Sequence, residues 1–232
     1  MLSQTEKNSK SQPGIDMATL QCVCGGEIMN LNKLRLFWLF AFCLAWSSGL
    51  LAQISENIEF GGSGCQPGTV RATVSPDGDE VSILFDEFSA ETKVRQAKIQ
   101  QCEVRVPIRV PSGFRVMLTK IDYRGFAFTT PRAQAAVLAQ AQIVRAKNRR
   151  PITPWVQNAR YFKPDTDEPF DFSLALNVRS SKFPCGTDSI LRLNTYLMSQ
   201  ARGAGASSLI QLDSIDGATS MKFKVQLEKC NQ

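Results

Sequence analysis

Histidine is absent from all 232 residues. That absence excludes Ser-His-Asp and Cys-His nucleophile pairs, HExxH zinc sites and imidazole pH switches. No CxxC pair occurs either, which argues against a redox-active dithiol or a zinc ribbon. Internal repeats and long linkers are missing. What is present is ordinary for a globular protein: 43% hydrophobic and 21% charged residues. Disorder, collagen-like repeats and coiled coil are thereby poor readings. The formal net charge is +6, moderate for a basic protein.

The first informative stretch begins at Met29. Lys33 and Arg35 precede the uncharged run from Leu36 to Trp46, Ser47-Ser48-Gly49 ends it, and Leu50-Leu51-Ala52 precedes Gln53. This is the layout of a secretory signal peptide over residues 29–52. The alternative is an uncleaved anchor, but the uncharged run from Leu36 to Ser55 is polar and Gly-broken in its second half. Membrane contact is expected only through this segment, if it is retained. Phe42 before Cys43 argues against a lipid anchor there. Residues 1–28 are polar and aperiodic, and read as an over-extended start or a disordered leader. Cys22 and Cys24 lack further nearby ligands, so no metal site is expected on them. Residues 53–232 are expected to form a single domain, secreted or held in the cell envelope.

Four of the seven cysteines lie beyond residue 52: Cys65, Cys102, Cys185 and Cys230. In an exported chain an even count suggests two disulfides, with three possible connectivities. Pairing sequence neighbours, Cys65–Cys102 and Cys185–Cys230, ties down both ends of the fold and is the expected arrangement. Each bond would stabilise by about 4 kcal/mol in the chain-entropy picture.

Single-residue alternation dominates the remainder. Val70, Ala72 and Val74 face one way and Thr69, Arg71 and Thr73 the other. Ser75-Pro76-Asp77-Gly78 supplies turn residues, and Val81, Ile83 and Phe85 resume the pattern, giving a hairpin over 69–88. Cys102, Val104, Val106, Ile108 and Val110 form another strand, with Pro107 pointing to an edge or a bulge. Phe114, Val116 and Leu118 begin a strand that continues from Tyr123 to Thr130 past a bend at Gly125. Residues 133–146 are ambiguous, since alanine and glutamine favour helix while the length also suits a strand. Alternation returns at Phe172–Val178, Leu191–Leu197 and Met221–Leu227, with Lys222, Lys224, Gln226 and Glu228 facing solvent on the last. Eight or nine strands without βα alternation predict an all-β protein, an antiparallel β-sandwich.

Gly62-Ser63-Gly64-Cys65-Gln66-Pro67-Gly68, Ser75-Pro76-Asp77-Gly78, Phe85-Asp86-Glu87-Phe88, Pro111-Ser112-Gly113-Phe114 and Asp122-Tyr123-Arg124-Gly125 together resemble the secreted proteins grouped as domain of unknown function 4360. The resemblance covers most of residues 60–200, with Cys185-Gly186 and Leu191-Arg192-Leu193-Asn194 in its later part. It implies an exported, disulfide-bonded, β-rich protein, and it brings no catalytic residues.

Without histidine, carboxylates are the remaining acid–base groups. Asp77, Asp79, Glu80, Asp86 and Glu87 read as turn formers and a solvated face rather than a glycosidase pair. Asp165-Thr166-Asp167-Glu168 lacks the Gly and distal Glu of an EF-hand, so a solvated loop is the default. Arg145, Lys147, Arg149 and Arg150 make the densest positive patch, suited to an anionic glycan or another anionic surface. They lack the interleaved aromatics that nucleic acid would require. Asp122, Tyr123 and Arg124 are a candidate binding surface, with Trp155 and Tyr161 as a sugar-stacking platform. The plainer account is a strand bend at Gly125 and an ion pair for Asp122. The leading expectation is a non-enzymatic binder of a surface, glycan or protein partner, without cofactor or metal. A carboxylate-dependent, glycosidase-like extracellular hydrolase is the alternative.

Overall fold

A chain that alternates polar and apolar residues one by one can bury a single face only as a pleated strand. In the computed structural model the described residues are 53–55, 57–176, 183–212 and 220–230, and they contain thirteen strands and no helix. The signal segment, residues 1–28 and the cysteines at 22, 24 and 43 lie outside them. Residues Gly49–Gln232 form one compact unit.

Six strands make one antiparallel sheet. They are β1 (Gln53–Ile54), β2 (Glu59–Gly61), β6 (Ala97–Arg109), β8 (Ala133–Arg145), β9 (Val156–Phe162) and β11 (Ser189–Ala201). Their order is β1-β6-β11-β8-β9, with β2 also on β6. The other sheet has seven: β3 (Val70–Val74), β4 (Glu80–Phe85), β5 (Ser89–Lys93), β7 (Phe114–Thr129), β10 (Thr166–Ala175), β12 (Ser207–Gln211) and β13 (Met221–Lys229). β7 is its spine. β10 pairs along Lys120–Thr129, while β13 and β12 share β7's remaining pairings, over Phe114–Tyr123 and Phe126–Thr129.

The core lies between the sheets. Val104, Val106 and Ile108 on β6 and Leu191, Leu193 and Leu197 on β11 pack with Ile83 and Phe85 on β4, Ile121 on β7, and Met221 and Phe223 on β13. All of these are at most 2% exposed. Lys222, Lys224 and Gln226 face solvent as the pattern requires, whereas Glu228 is half-buried.

Thirteen strands exceed the eight or nine expected. Among the extra ones, β1, β2, β5 and β12 span two to five residues, too short to show a period, and β9 is exposed on both faces for much of its length. The ambiguous segment is a strand. β8 pairs with β11 at thirteen consecutive positions and with β9 on its other side, so two ladders override the helix preference of alanine and glutamine. Pro107 sits one strand inside the margin rather than at an edge. Its carbonyl accepts the Ser55 N–H at 3.0 Å. In a pleated strand N–H and C=O point the same way, so the missing donor faces short β1 and costs no bond to β11.

Cys65 is joined to Cys102 and Cys185 to Cys230. The first bond is buried beneath the Gly62–Cys65 loop, where Gly64 N–H donates to the Gln101 carbonyl at 2.8 Å. The second links the segment before β11 to the end of β13, one element from each sheet. At the opposite end, the Thr92 and Ser199 hydroxyls meet at 2.7 Å, and Ser199 donates to the Ser208 carbonyl.

Candidate functional site

The outer face of the six-stranded sheet follows from strand register. β6, β11 and β8 turn Cys102, Leu193 and Ala141 inward, so their neighbours in sequence stand outside. Read across β6, β11, β8 and β9, the outer rows are Ile99, Met198, Ala136 and Tyr161; then Gln101, Tyr196, Leu138 and Ala159; then Glu103, Asn194, Gln140 and Gln157. The next row holds Arg105, Arg192 and Gln142, with Trp155 just before β9.

Among the described residues the large apolar side chains left exposed are Val94, Ile99, Trp155 and Tyr161. Three of these four stand on this face. Tyr161 is 75% and Trp155 40% exposed, and Tyr196 is half-buried. Trp155 and Tyr161 are six positions apart, about 20 Å of extended backbone at the usual rise. Between them lies the amide row, where Gln140 donates to Gln157 at 3.0 Å. A groove of about 280 Å³ opens beside Tyr161, lined by Ile99, Met198, Ala136 and Gln134.

The charged row is braced. Glu103 accepts from Arg105 Nε at 2.9 Å and from Arg192 at 3.2 Å, and Arg105 reaches Glu59 at 3.4 Å. The Arg192 guanidinium also lies over the Trp155 ring, 5.4 Å from its centroid. The network fixes the indole's neighbour and leaves the indole itself accessible. The Arg105 hydrogen bond, opposed by partial burial and helped by Arg192, holds the Glu103 carboxyl below its usual 4.5. Glu103 is therefore an acceptor at neutral pH, not a proton donor.

The outer face of the seven-stranded sheet is different. Asp122 pairs with Lys120 at 2.8 Å and accepts from Ser173 at 2.6 Å, while Arg124 pairs with Asp171 at 3.1 Å and Lys222 with Glu80 at 2.8 Å. A cavity of about 450 Å³ lies among them, but its charges are matched one for one. Burial raises the Asp122 carboxyl, and the bonds from Lys120 and Ser173 outweigh it and lower it overall. Tyr123, expected beside them, is turned inward by the alternation of β7. It is 1% exposed and its ring lies 5.7 Å from that of Phe172. Gly125 is no bend, because β7 runs unbroken through it. A Cβ there would collide with the Gln211 carbonyl and the Phe170 ring, so close packing requires the glycine.

Three of the five hairpin carboxylates stand in ion pairs: Asp79 with Lys224 at 2.8 Å, Asp86 with Arg71 at 3.3 Å and Glu80 with Lys222 as above. The Lys224 hydrogen bond, against burial and with help from Ser75, lowers the Asp79 carboxyl. Glu168 pairs with Arg160 at 3.2 Å. Arg145, Lys147, Arg149 and Arg150 are exposed and have no ion pair among the described residues. Their turn is held by backbone: Arg149 N–H donates to Arg145 O and Arg145 N–H to Arg150 O, each at 2.9 Å. Sequence reasoning named Trp155 and Tyr161 but missed Tyr196, Glu103, Arg192 and the amide row. Only the pairing of β11 with β6 and β8 assembles them.

The model of a family described as Domain of unknown function (DUF4360) matches residues 52–230. An uncharacterized secreted protein of Arthroderma benhamiae is 24% identical over 180 residues, covering 75% of this chain and 70% of its own length. Among solved structures, a carbohydrate-binding module in complex with beta-1,4-galactotriose is 10% identical, with 75% of this chain and 88% of that one covered and a TM-score of 0.24. The family 11 carbohydrate-binding module from Clostridium thermocellum, in complex with a mixed-linked tetrasaccharide, is 12% identical, with 77% and 91% covered and a TM-score of 0.21. At these scores no binding property transfers, and the site stands on its own geometry.

Proposed function

We propose that this chain, which belongs to the domain of unknown function 4360 family, is an exported, non-enzymatic protein that binds polysaccharide on the outer face of its six-stranded sheet. The observation that supports the reading is the concentration of exposed large apolar side chains there, with two aromatic residues six positions apart, Trp155 and Tyr161, and a row of amides between them. Sugar rings present apolar C–H faces and a rim of hydroxyls. An indole or phenol covers the former, while carboxamides, Arg192 and Glu103 exchange hydrogen bonds with the latter. The sandwich supplies rigidity, so little ordering is required on binding.

Retention on a panel of immobilised polysaccharides tests the reading. At least one should hold the wild-type chain, and Trp155→Ala with Tyr161→Ala should release it while leaving the melting temperature within a few degrees. Retention indifferent to both substitutions would reject the face.

A further inference from the structure

The candidate face carries unmatched positive charge at one end, and the charge bears on what it binds. Ser189, which opens β11, lies opposite Ile108 on β6 and opposite Arg145 on β8. The next residue of β6 and the turn that follows β8 therefore project beyond the same edge. They are Arg109 and the segment Lys147–Arg150, about two strand spacings, or 10 Å, apart. All four cations are exposed, and none has an ion-pair partner among the described residues. Asp188, whose carbonyl accepts the Ala146 N–H, uses its carboxylate to accept the Val110 N–H at 2.9 Å. Arg109 stands on the same face as Arg105, four residues or about 13 Å from the row that ends in Trp155.

The outer face of the other sheet differs. There every cation around the cavity is matched by a carboxylate. Within the face itself, Arg105 and Arg192 are balanced by Glu59 and Glu103. Exposed cations without an ion pair among the described residues also stand at the opposite end, Lys98, Arg132 and Arg202, but the end beyond Arg105 gathers three of its four on one compact turn held by backbone hydrogen bonds. A cluster of like charges repels itself and is relieved by an anionic ligand.

Resting on the polysaccharide reading, we infer that the ligand is an acidic polysaccharide, one whose sugar rings lie on Trp155 while its carboxylates or sulfates meet Arg109, Lys147, Arg149 and Arg150. Guanidinium groups favour such anions because their planar forks match carboxylate and sulfate oxygens. The aromatic and amide rows favour a sugar chain over a bare polyanion.

The experiment uses the full chain and a matched pair of probes, polygalacturonate and its fully methyl-esterified form, with dextran sulfate and dextran as a second pair. Affinity electrophoresis should show polygalacturonate or dextran sulfate retarding the chain at least about tenfold more strongly than its neutral counterpart, and which of the two does so separates carboxylate from sulfate. Raising salt from roughly 0.05 to 0.5 M should erase the preference, since charge interactions are then screened within a few ångströms. The variant Arg109→Gln, Lys147→Gln, Arg149→Asn, Arg150→Gln should erase it as well. Asn suits position 149 because φ there is +57°. An unchanged melting temperature in that variant secures the comparison. Trp155→Ala should weaken binding of the acidic and neutral forms alike. Equal binding of acidic and neutral forms, lost in Trp155→Ala, would overturn the acidic ligand and leave the face intact. Anion binding lost in the loop variant but untouched by Trp155→Ala would mean ion exchange only, and would overturn this inference and the face together.

Discussion

Tyr123 shows how a single residue's surroundings decide its role. Its sequence context, between Asp122 and Arg124, suggests a surface site, yet strand parity buries the ring. Its hydroxyl lies near that of Thr195 on the opposite sheet, and neither reaches hydrogen-bond geometry. Burial raises the phenol's pKa well above 10, only partly offset by Thr195. A buried hydroxyl without a partner costs about 1–3 kcal/mol. Tyr123→Phe should therefore leave the thermal midpoint unchanged or raise it, and a clear fall would mean that the hydroxyl is held. An acid whose folded pKa is raised contributes stability that is full below its unfolded pKa and is lost as pH rises past it. The wild type should accordingly weaken above about pH 10 more than Tyr123→Phe does, measured by denaturant titration at pH 8 and 11. At the acid end the sign reverses. Glu103, Asp79 and Asp122 are lowered, so their contribution is present at neutral pH and fades as pH falls below about 4. With no histidine to titrate, stability should be flat between pH 5 and 8.

Among the elements, β7 and β8 carry most of what the sequence could and could not reveal. Alternation exposed β3, β4, β6, β7, β10, β11 and β13, because each buries one face and wets the other. It could not decide β8, whose Ala-rich run fits either state until two partner ladders are present, nor reveal β5 and β12. Trp155 and Tyr161 were legible as exposed aromatics near one another. Their alignment with Tyr196, Gln140 and Arg192 was not, since those residues come from strands tens of positions apart. Gly125 looked like a strand bend in sequence and is a packing requirement in space. Gly125→Ala should destabilise the protein by about 1–3 kcal/mol through overpacking against Phe170 and the β12 backbone, read by urea denaturation. A neutral effect would show that β12 moves away easily. The disulfides act on the same scale. Replacing Cys65 and Cys102 together by Ala should cost about 2–5 kcal/mol.

At the scale of the molecule, two sheets of nearly equal size present two unlike outer faces. On one, the charges around the cavity are matched in ion pairs: Lys120 with Asp122, Arg124 with Asp171 and Lys222 with Glu80. The other combines exposed rings, amides and a braced Glu103–Arg192 pair, with its densest cluster of unpaired cations at the end beyond Arg105. A face that gathers exposed apolar side chains in this way marks a surface that meets something. Tryptophan provides a direct reading of that contact. The chain has three, Trp38, Trp46 and Trp155, and the first two fall in the expected signal segment. In the full chain carrying Trp38→Phe and Trp46→Phe, fluorescence arises from Trp155 alone. Titration with a polysaccharide that retains the protein should shift that emission to shorter wavelength and saturate, with the midpoint matching the retention measured independently. Saturable binding with Trp155 emission unmoved would contradict the account and place the ligand away from this face.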